Sequence, residues 1–190
     1  MQIKAQAFLY GTEWVLKTHG ERVLSRILAS CGPTVRERYM TAIAIEWHEG
    51  AELEEFLRVT ERHLGAPPGS VAREIGAAGA SHNMKGFMRR LGFYAARQDY
   101  ALARVGAAWR QFNDEGEMTL KIEKEGACVM RVTDADLPGP LFCETLTGWC
   151  GVLGEHVGMR SPHVVHEKCR FRGEDCCSWE IRWKPEQVVS

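Results

Sequence analysis

Cysteine and histidine residues near the end of the chain have a spacing that could bind a metal ion. Cys169 and Cys177 stand eight positions apart and flank a turn at Gly173. If the flanking segments pair as a hairpin, the two sulfur atoms lie within a few ångströms, as two ligands of one tetrahedral metal must. His166 could supply a nitrogen ligand, and Cys143 could be the fourth ligand. A set of three cysteines and one histidine favours Zn2+ over hard cations such as Mg2+.

The position of His166 raises an objection to this interpretation. In a regular strand, residues three positions apart point to opposite faces, so His166 and Cys169 would diverge. Both can reach one metal only if a bulge or a turn lies between them. Glu167 has the same parity as Cys169 and is the alternative ligand. The competing interpretation is that these cysteines are core residues, because free cysteine is among the most buried residue types.

The number of cysteines indicates which chemistry is open to them. There are seven, an odd number, and the N-terminus shows no signal-peptide pattern, which argues against a disulfide framework. We therefore expect a cytoplasmic protein with reduced thiols that serve as packing residues, metal ligands or reactive groups. Cys176 faces away from Cys177 in a strand and is expected to take no part in the site. The remaining cysteines, which suit packing positions, are Cys31, Cys128 and Cys150.

Charge and length limit the classes of protein to which the chain can belong. Its 190 residues include 24 Lys and Arg against 25 Asp and Glu, which gives a formal net charge of −1. This balance excludes a dominant attraction to nucleic acid or to an anionic membrane. No apolar run approaches the roughly 18 residues that a membrane-spanning helix needs, so membrane insertion is not expected. The length allows one good-sized domain.

Apolar periodicity predicts that residues 1–113 are mainly helical. One helix is predicted over residues 12–31, where Gly32-Pro33 stops it, and another over residues 53–64. Residues 41–47 fit a short strand and the start of a helix equally well.

The second half of this helical part contains many glycines. Ser70 is a candidate cap for the next helix, and Gly76, Gly79 and Gly86 interrupt residues 71–92. A helical stripe returns over residues 93–112.

After Asn113 the apolar period changes from helical to alternating. The predicted elements are strands over residues 118–122 and 128–132, a helix over 143–157, and strands over 162–171 and 176–183. Several helices followed by ββαββ predict one α+β domain over residues 1–190 with an antiparallel sheet. Residues 114–190 form its mixed part.

The cysteine-containing region resembles the 4-vinyl-reductase-type domain family. The residues that carry the resemblance are Cys143 and Gly148, then Gly158, and the run of residues 164–179, which includes a Cys-x3-Gly-x3-Cys core. The family includes a protein of bacteriochlorophyll synthesis and the effector-binding domains of phenol-sensing transcription activators. Its wider fold is shared with TRAPP trafficking subunits and nitric-oxide-sensing haem domains.

The resemblance implies a zinc site. In the phenol-sensing relatives, three cysteines and one glutamate hold a zinc ion. The corresponding positions here are Cys143, His166, Cys169 and Cys177, with histidine where the family has glutamate. Four protein ligands leave no open position for water, as in a structural zinc site.

The resemblance also implies a homodimer and an apolar ligand pocket beside the metal. Aromatic residues are the candidates for this pocket, and ordinary core packing is their alternative role. These residues are Trp109, Phe112, Phe142, Trp149 and Trp179.

Three functions remain open, and the first is favoured. The first is a non-enzymatic sensor that binds a small hydrophobic or aromatic molecule, contains structural Zn2+ and signals through a partner protein. The second is a dimeric assembly module without a ligand. The third is an enzyme, either of the tetrapyrrole vinyl-reductase type or a zinc hydrolase. Because no G-x-S-x-G, Walker A or Rossmann glycine pattern is present, the sequence gives the enzymatic hypothesis no support.

Overall fold

Helices dominate the first part of the chain in the computed structural model, which describes residues 1–83 and 104–184. The helices are α1 (Gln6–His19), α2 (Glu21–Ser30), α3 (Pro33–Thr41), α4 (Gly50–Leu64), α5 (Ser70–Asn83) and α6 (Val105–Phe112). Two short strands, β1 (Gln2–Lys4) and β2 (Trp47–Glu49), pair antiparallel. This pairing holds the N-terminus beside the start of α4.

The prediction of one continuous helix over residues 12–31 is wrong, because two helices, α1 and α2, occupy this range. Gly20 adopts a φ of +84°, which ends α1 and begins α2. The apolar pattern continues on both sides of Gly20, so periodicity alone does not reveal the break. Pro33 stops α2 as predicted and also begins α3, since its fixed φ suits the first helical position. The ambiguous residues 41–47 end in β2.

The predicted Ser70 cap is also wrong. The Ser70 hydroxyl donates to the Pro67 carbonyl oxygen at 2.7 Å. The Glu61 carboxylate instead accepts hydrogen bonds from the backbone of Gly69 at 3.1 Å and of Ala72 at 3.3 Å. The predicted helical stripe over residues 93–112 lies mostly outside the described residues, and α6 is its described part.

The mixed part of the chain forms one four-stranded antiparallel sheet and one long helix. Its elements are β3 (Glu117–Lys124), β4 (Ala127–Thr133), α7 (Pro140–His156), β5 (Arg160–Lys168) and β6 (Cys177–Lys184). The strand order is β3-β4-β6-β5, and α7 packs on β5 and β6. A 3-10 turn at Arg170–Arg172 follows β5, so the predicted strand over residues 162–171 was too long. The single-domain α+β fold, helical first and then ββαββ, is confirmed.

A close approach of α5 and α7 joins the two parts of the domain. A Cβ atom on Gly76 would lie 1.9 Å from the backbone oxygen of Thr145, and one on Gly148 would lie 1.9 Å from that of Arg73. Each helix therefore presents a glycine to the backbone of the other. Only glycine permits this separation, because backbone atoms cannot move aside as a flexible side chain can.

Carboxylates of α4 fix the N-terminal ends of both of these helices. Glu54 accepts hydrogen bonds from the backbone of Leu141 at 3.3 Å and of Phe142 at 2.9 Å, at the start of α7. Glu61 does the same for α5. A negative group at a helix N-terminus satisfies free N–H groups and interacts favourably with the helix dipole. Because both carboxylates belong to α4, that helix sets the relative position of the other two.

Within the two described ranges of the chain, no helix has the length and apolar character required to cross a membrane.

We predict that Gly76→Ala or Gly148→Ala destabilises the fold by roughly 3 kcal/mol, because each methyl group would overlap backbone atoms of the facing helix. Gly151→Ala is the matched control on α7, since its Cβ would come no closer than 3.9 Å to the atoms around it. Alanine there should be neutral or stabilising because it favours the helix. Thermal unfolding followed by circular dichroism measures the difference. Wild-type stability in both test variants would contradict the close approach.

Candidate functional site

The four predicted metal ligands come together in the structure. One ligand atom from each of Cys143, His166, Cys169 and Cys177 lies within 4.8 Å of the others, and the three cysteines are buried. The sulfur atoms of Cys143 and Cys177 are 3.8 Å apart. A tetrahedral zinc site with Zn–S bonds of about 2.3 Å has S–S edges of about 3.8 Å. The spacing of this pair therefore matches a metal site.

An irregularity in β5 resolves the objection about strand parity. The pairing of β5 with β6 shifts register between His166 and Lys168, immediately before Cys169. The chain then enters the 3-10 turn and passes through Gly173, whose φ is +87°. The register shift allows His166 and Cys169 to face one point. Glu167, the alternative ligand, is exposed and lies outside the cluster.

The two ring nitrogens of His166 have different surroundings. Nδ1 lies 3.4 Å from Oε1 of Glu144. Nε2 is buried and makes no hydrogen bond with any described residue. A ring that donates from Nδ1 to a carboxylate presents the lone pair of Nε2, which is the arrangement of a histidine that binds a metal. The unpartnered nitrogen is therefore the candidate ligand atom.

Charged neighbours stabilise ionised forms around the cluster. Burial alone would raise the pKa of Glu144, but hydrogen bonds from His166 and Arg73 lower it to about 2. Arg73 Nε lies 2.6 Å from Glu144 Oε2. The interaction between the Cys143 and Cys177 thiols lowers the pKa of Cys177, against the effect of burial, and raises the pKa of Cys143. Cys177 is therefore the thiol of this pair that ionises more readily, and the thiolate is the form that binds metals.

Trp179 belongs beneath the cluster and does not line the cavity, contrary to the sequence interpretation. Its ring stacks on His166 with centroids 4.7 Å apart and an interplanar angle of 8°. Its indole nitrogen donates to Thr147 Oγ1 at 3.0 Å. Trp179 lies on the same face of β6 as Cys177, so the strand carries both residues to the cluster of cysteines and histidine.

The other cysteines lie outside the cluster. Cys176 is half-buried and precedes β6. Cys31, Cys128 and Cys150 are buried in the hydrophobic core, and the sulfur of Cys150 lies 3.4 Å from that of Met130.

An apolar cavity lies on the other side of α7. Its accessible volume is about 110 Å³, and it opens to solvent. Residues from α1, α5, α6 and α7 contribute to its wall. Four predicted aromatic residues are among those that line it, namely Trp109, Phe112, Phe142 and Trp149. A mostly apolar cavity with a few polar groups is typical of sites for small organic molecules.

The cavity also has polar residues that sequence reasoning missed. Gln6, Tyr10 and Asn83 line it, and the Tyr10 hydroxyl donates to Asn83 Oδ1 at 2.8 Å. The available signal was the i, i+4 spacing of Gln6 and Tyr10 on one helix face. Nothing local in the sequence connects either residue with Asn83, which is 73 positions from Tyr10.

Helix α7 separates the cavity from the metal cluster and contributes to both. Phe142, Leu146 and Trp149 line the cavity, while Cys143 belongs to the cluster and Glu144 contacts His166. Successive residues of a helix point in directions about 100° apart, so one short segment can serve two sites.

Comparison with known proteins finds similarity only at the level of structure. No protein-family model matches the chain. No curated protein matches it either.

Several solved structures share the fold. An H-NOX protein from S. oneidensis in the Fe(II)NO ligation state has a TM-score of 0.74 and 13% identity, covering 95% of this chain and 99% of that chain. The Fe(II) unliganded H-NOX protein from K. algicida has a TM-score of 0.75 and 12% identity, with coverages of 98% and 99%. A structure from work on haem redox potential and porphyrin distortion has a TM-score of 0.67 and 12% identity, with coverages of 95% and 99%.

At these identities the likeness establishes the fold alone. It agrees with the wider fold that the sequence resemblance implied. The narrower assignment to the 4-vinyl-reductase-type family receives no separate support.

We predict that Cys169→Ser or Cys177→Ser removes bound metal and lowers the free energy of unfolding by several kcal/mol, because metal binding is coupled to folding. Cys176→Ser is the matched control, since it changes the neighbouring thiol outside the cluster. Elemental analysis of purified protein and thermal unfolding measure the two effects. Unchanged metal content and stability in both test variants would mean that these cysteines only fill the core.

Glu144→Ala should weaken metal binding by about 10- to 100-fold, because the carboxylate orients the His166 ring. Glu155→Ala removes an exposed glutamate from the same helix and should leave affinity unchanged. Titration against a competing chelator measures affinity in both variants. Equal affinities would show that Glu144 does not support the site.

Proposed function

We propose that this protein is a non-enzymatic ligand-binding module that takes up a small apolar or aromatic molecule and signals through a partner protein. The observation that carries the proposal is the aromatic-lined, mostly apolar cavity between the helical part and α7. Most of its described lining is apolar, as in sites for small organic molecules. The likeness to H-NOX proteins supports the proposal, since the one from S. oneidensis is in an Fe(II)NO ligation state.

The proposal includes a structural zinc ion in the cluster of three cysteines and one histidine. Thiolate and imidazole ligands suit Zn2+, which binds such sites more tightly than Fe2+. Four protein ligands leave no open position for a substrate. A metal held by Cys143 and Cys177 would fix α7 to the end of the β5–β6 hairpin. The cluster would thereby hold one wall of the cavity in place.

Haem is one candidate for the cavity ligand, because a similar structure concerns haem. Haem iron is ordinarily held by histidine or cysteine. The described lining contains neither residue, and residues 84–103 contain neither in their sequence. Tyr10 lines the cavity, but its hydroxyl is already bonded to Gln6 and Asn83. The described wall therefore offers haem iron no histidine or cysteine, and we propose a purely organic ligand.

A change in occupancy would reach the rest of the domain through α7. Phe142, Leu146 and Trp149 would contact the ligand, and the same helix is fixed to α5 by the Gly76 and Gly148 contacts. A rigid helix shifts as a unit, because packed interfaces do not deform continuously. The cluster and the edge strand β5 would move with it, and an edge strand offers backbone groups to which a partner could bind.

Cavity occupancy can be tested with N-phenyl-1-naphthylamine, a neutral dye whose fluorescence rises in apolar surroundings. We expect saturable binding to the wild type and at least about tenfold weaker binding to Ala108→Phe, which places a ring in the cavity and excludes the dye. Ala29→Phe, at an exposed position of α2, is the control and should bind normally. Zinc-containing protein that binds no dye would favour an assembly module instead.

We also propose that the protein forms a homodimer. Large apolar side chains are exposed at the end of α3 and just after it, with Met40 75% and Ile45 77% exposed, and such residues commonly lie in interfaces. Light scattering coupled to size-exclusion chromatography should give twice the mass of one chain. The mass of a single chain would contradict the dimer and would leave the ligand-binding proposal intact.

A further inference from the structure

A second cavity lies on the exposed side of the short β1–β2 sheet. It is an open groove with an accessible volume of about 410 Å³, larger than that of the apolar cavity. Its described lining consists of Gln2, Trp47, Arg110, Asn113 and Asp114. The described lining of the apolar cavity, in contrast, contains no charged side chain. The groove is therefore a separate place for a ligand and has a different chemical character.

Strand β1 runs between the two sides of the groove, because the chain pairs with it along both edges. Strand β2 lies along one edge, and the segment after α6 lies along the other. The backbone of Gln2 donates to Asp114 Oδ1 at 2.7 Å, and the backbone of Asp114 donates to the Gln2 oxygen at 3.2 Å. Alternation buries Ile3 and His48 and leaves Gln2 and Trp47 on the exposed side. These pairings fix both sides of the groove.

The groove contains two opposite charges that do not neutralise each other. Arg110 and Asp114 are four positions apart, a spacing at which opposite charges interact when both belong to one helix. Helix α6 ends at Phe112, however, and Asn113 is extended, with a φ of −134°. Asp114 is held by the backbone of Gln2 instead. Neither Arg110 nor Asp114 therefore forms an ion pair with any described residue, although both line the same groove.

Trp47 gives the groove an aromatic side. This residue is 38% exposed and belongs to the lining. Lys4 Nζ lies 3.9 Å from the ring centroid and donates to the Ile45 carbonyl oxygen at 2.6 Å. The cation–π contact holds the indole ring in place. An apolar group can therefore pack on Trp47 without first having to order it.

We propose that this groove binds a small zwitterion with an apolar body, and that an aromatic α-amino acid is the matching class of ligand. The ligand carboxylate would accept hydrogen bonds from the Arg110 guanidinium, whose planar fork suits a carboxylate. The ligand ammonium group would donate to Asp114 Oδ2, because Oδ1 already accepts from the Gln2 backbone. The aromatic side chain of the ligand would pack on Trp47. This inference goes beyond the function proposed for the apolar cavity and does not depend on it.

The two charges of the groove select against ligands that carry only one charge. A simple anion would gain a contact with Arg110 but would meet the like charge of Asp114, and a simple cation would meet the like charge of Arg110. Water and salt screen each contact in an open groove, so one ion pair alone contributes little. A zwitterion gains both contacts at once and avoids both repulsions.

The test compares three probes that share one side chain and differ in charge. They are L-phenylalanine, the anion N-acetyl-L-phenylalanine and the cation L-phenylalaninamide, and isothermal titration calorimetry measures the affinity of each. We expect L-phenylalanine to bind the wild type at least about tenfold more tightly than either blocked probe. Arg110→Gln and Asp114→Asn should each remove this preference. Asparagine retains an oxygen that can accept from the backbone of Gln2, so the second variant keeps that contact.

Arg26→Gln is the matched control variant. It removes an exposed arginine from α2, outside the groove, and should leave the preference for L-phenylalanine unchanged. Thermal unfolding of each variant identifies any that fails to fold. L-phenylalanine should also fail to displace N-phenyl-1-naphthylamine, because a zwitterion is expelled from an apolar cavity.

Four outcomes would overturn the inference. They are no measurable binding of L-phenylalanine to the wild type, binding of a blocked probe as tight as that of L-phenylalanine, an unchanged preference in both test variants, and displacement of the dye by L-phenylalanine. The first three leave the proposed function of the apolar cavity intact. The fourth would place the amino acid in that cavity instead of the groove.

Discussion

The contact of α5 with α7 through two glycines is the constraint on which the rest of the structure depends. Gly76 faces the backbone of Thr145, and Gly148 faces that of Arg73, so neither helix can rotate or slide without a backbone clash. Every side chain of α7 takes its direction from this contact. The Glu54 and Glu61 carboxylates add a second restraint by holding the two N-terminal ends to α4.

With α7 held in this way, two faces of its first turns contact different parts of the molecule. One face closes an apolar cavity, and the other presents a thiol and a carboxylate to the β5–β6 hairpin. The ion pair of Arg73 with Glu144 extends the α5 contact to the metal cluster, because the same carboxylate meets His166. The cluster, the cavity and the helix contact therefore form one continuous set of packed groups.

Sequence reasoning predicted those features of the site that depend on residue type and local spacing. It did not predict the features that depend on tertiary packing. The eight positions between Cys169 and Cys177 predicted their approach, because a hairpin fixes that geometry locally. The register shift beside His166 depends on pairing with β6, and periodicity does not encode it. Trp149 and Trp179 have the same residue type, so the sequence does not separate their roles. Tertiary packing places Trp149 in the cavity wall and stacks Trp179 on His166. The Gly20 break was hidden because the apolar period continues across it.

The shared helix α7 has a thermodynamic consequence. If the cavity binds a ligand and the cluster binds a metal, both events use faces of one helix, and any influence of one binding free energy on the other must be equal in the reverse direction. Ligand affinity would then depend on the metallation state, and metal affinity on ligand occupancy. A change in the supply of available metal would thereby change the ligand concentration at which the cavity fills. The domain would integrate two chemical inputs with no additional structural element.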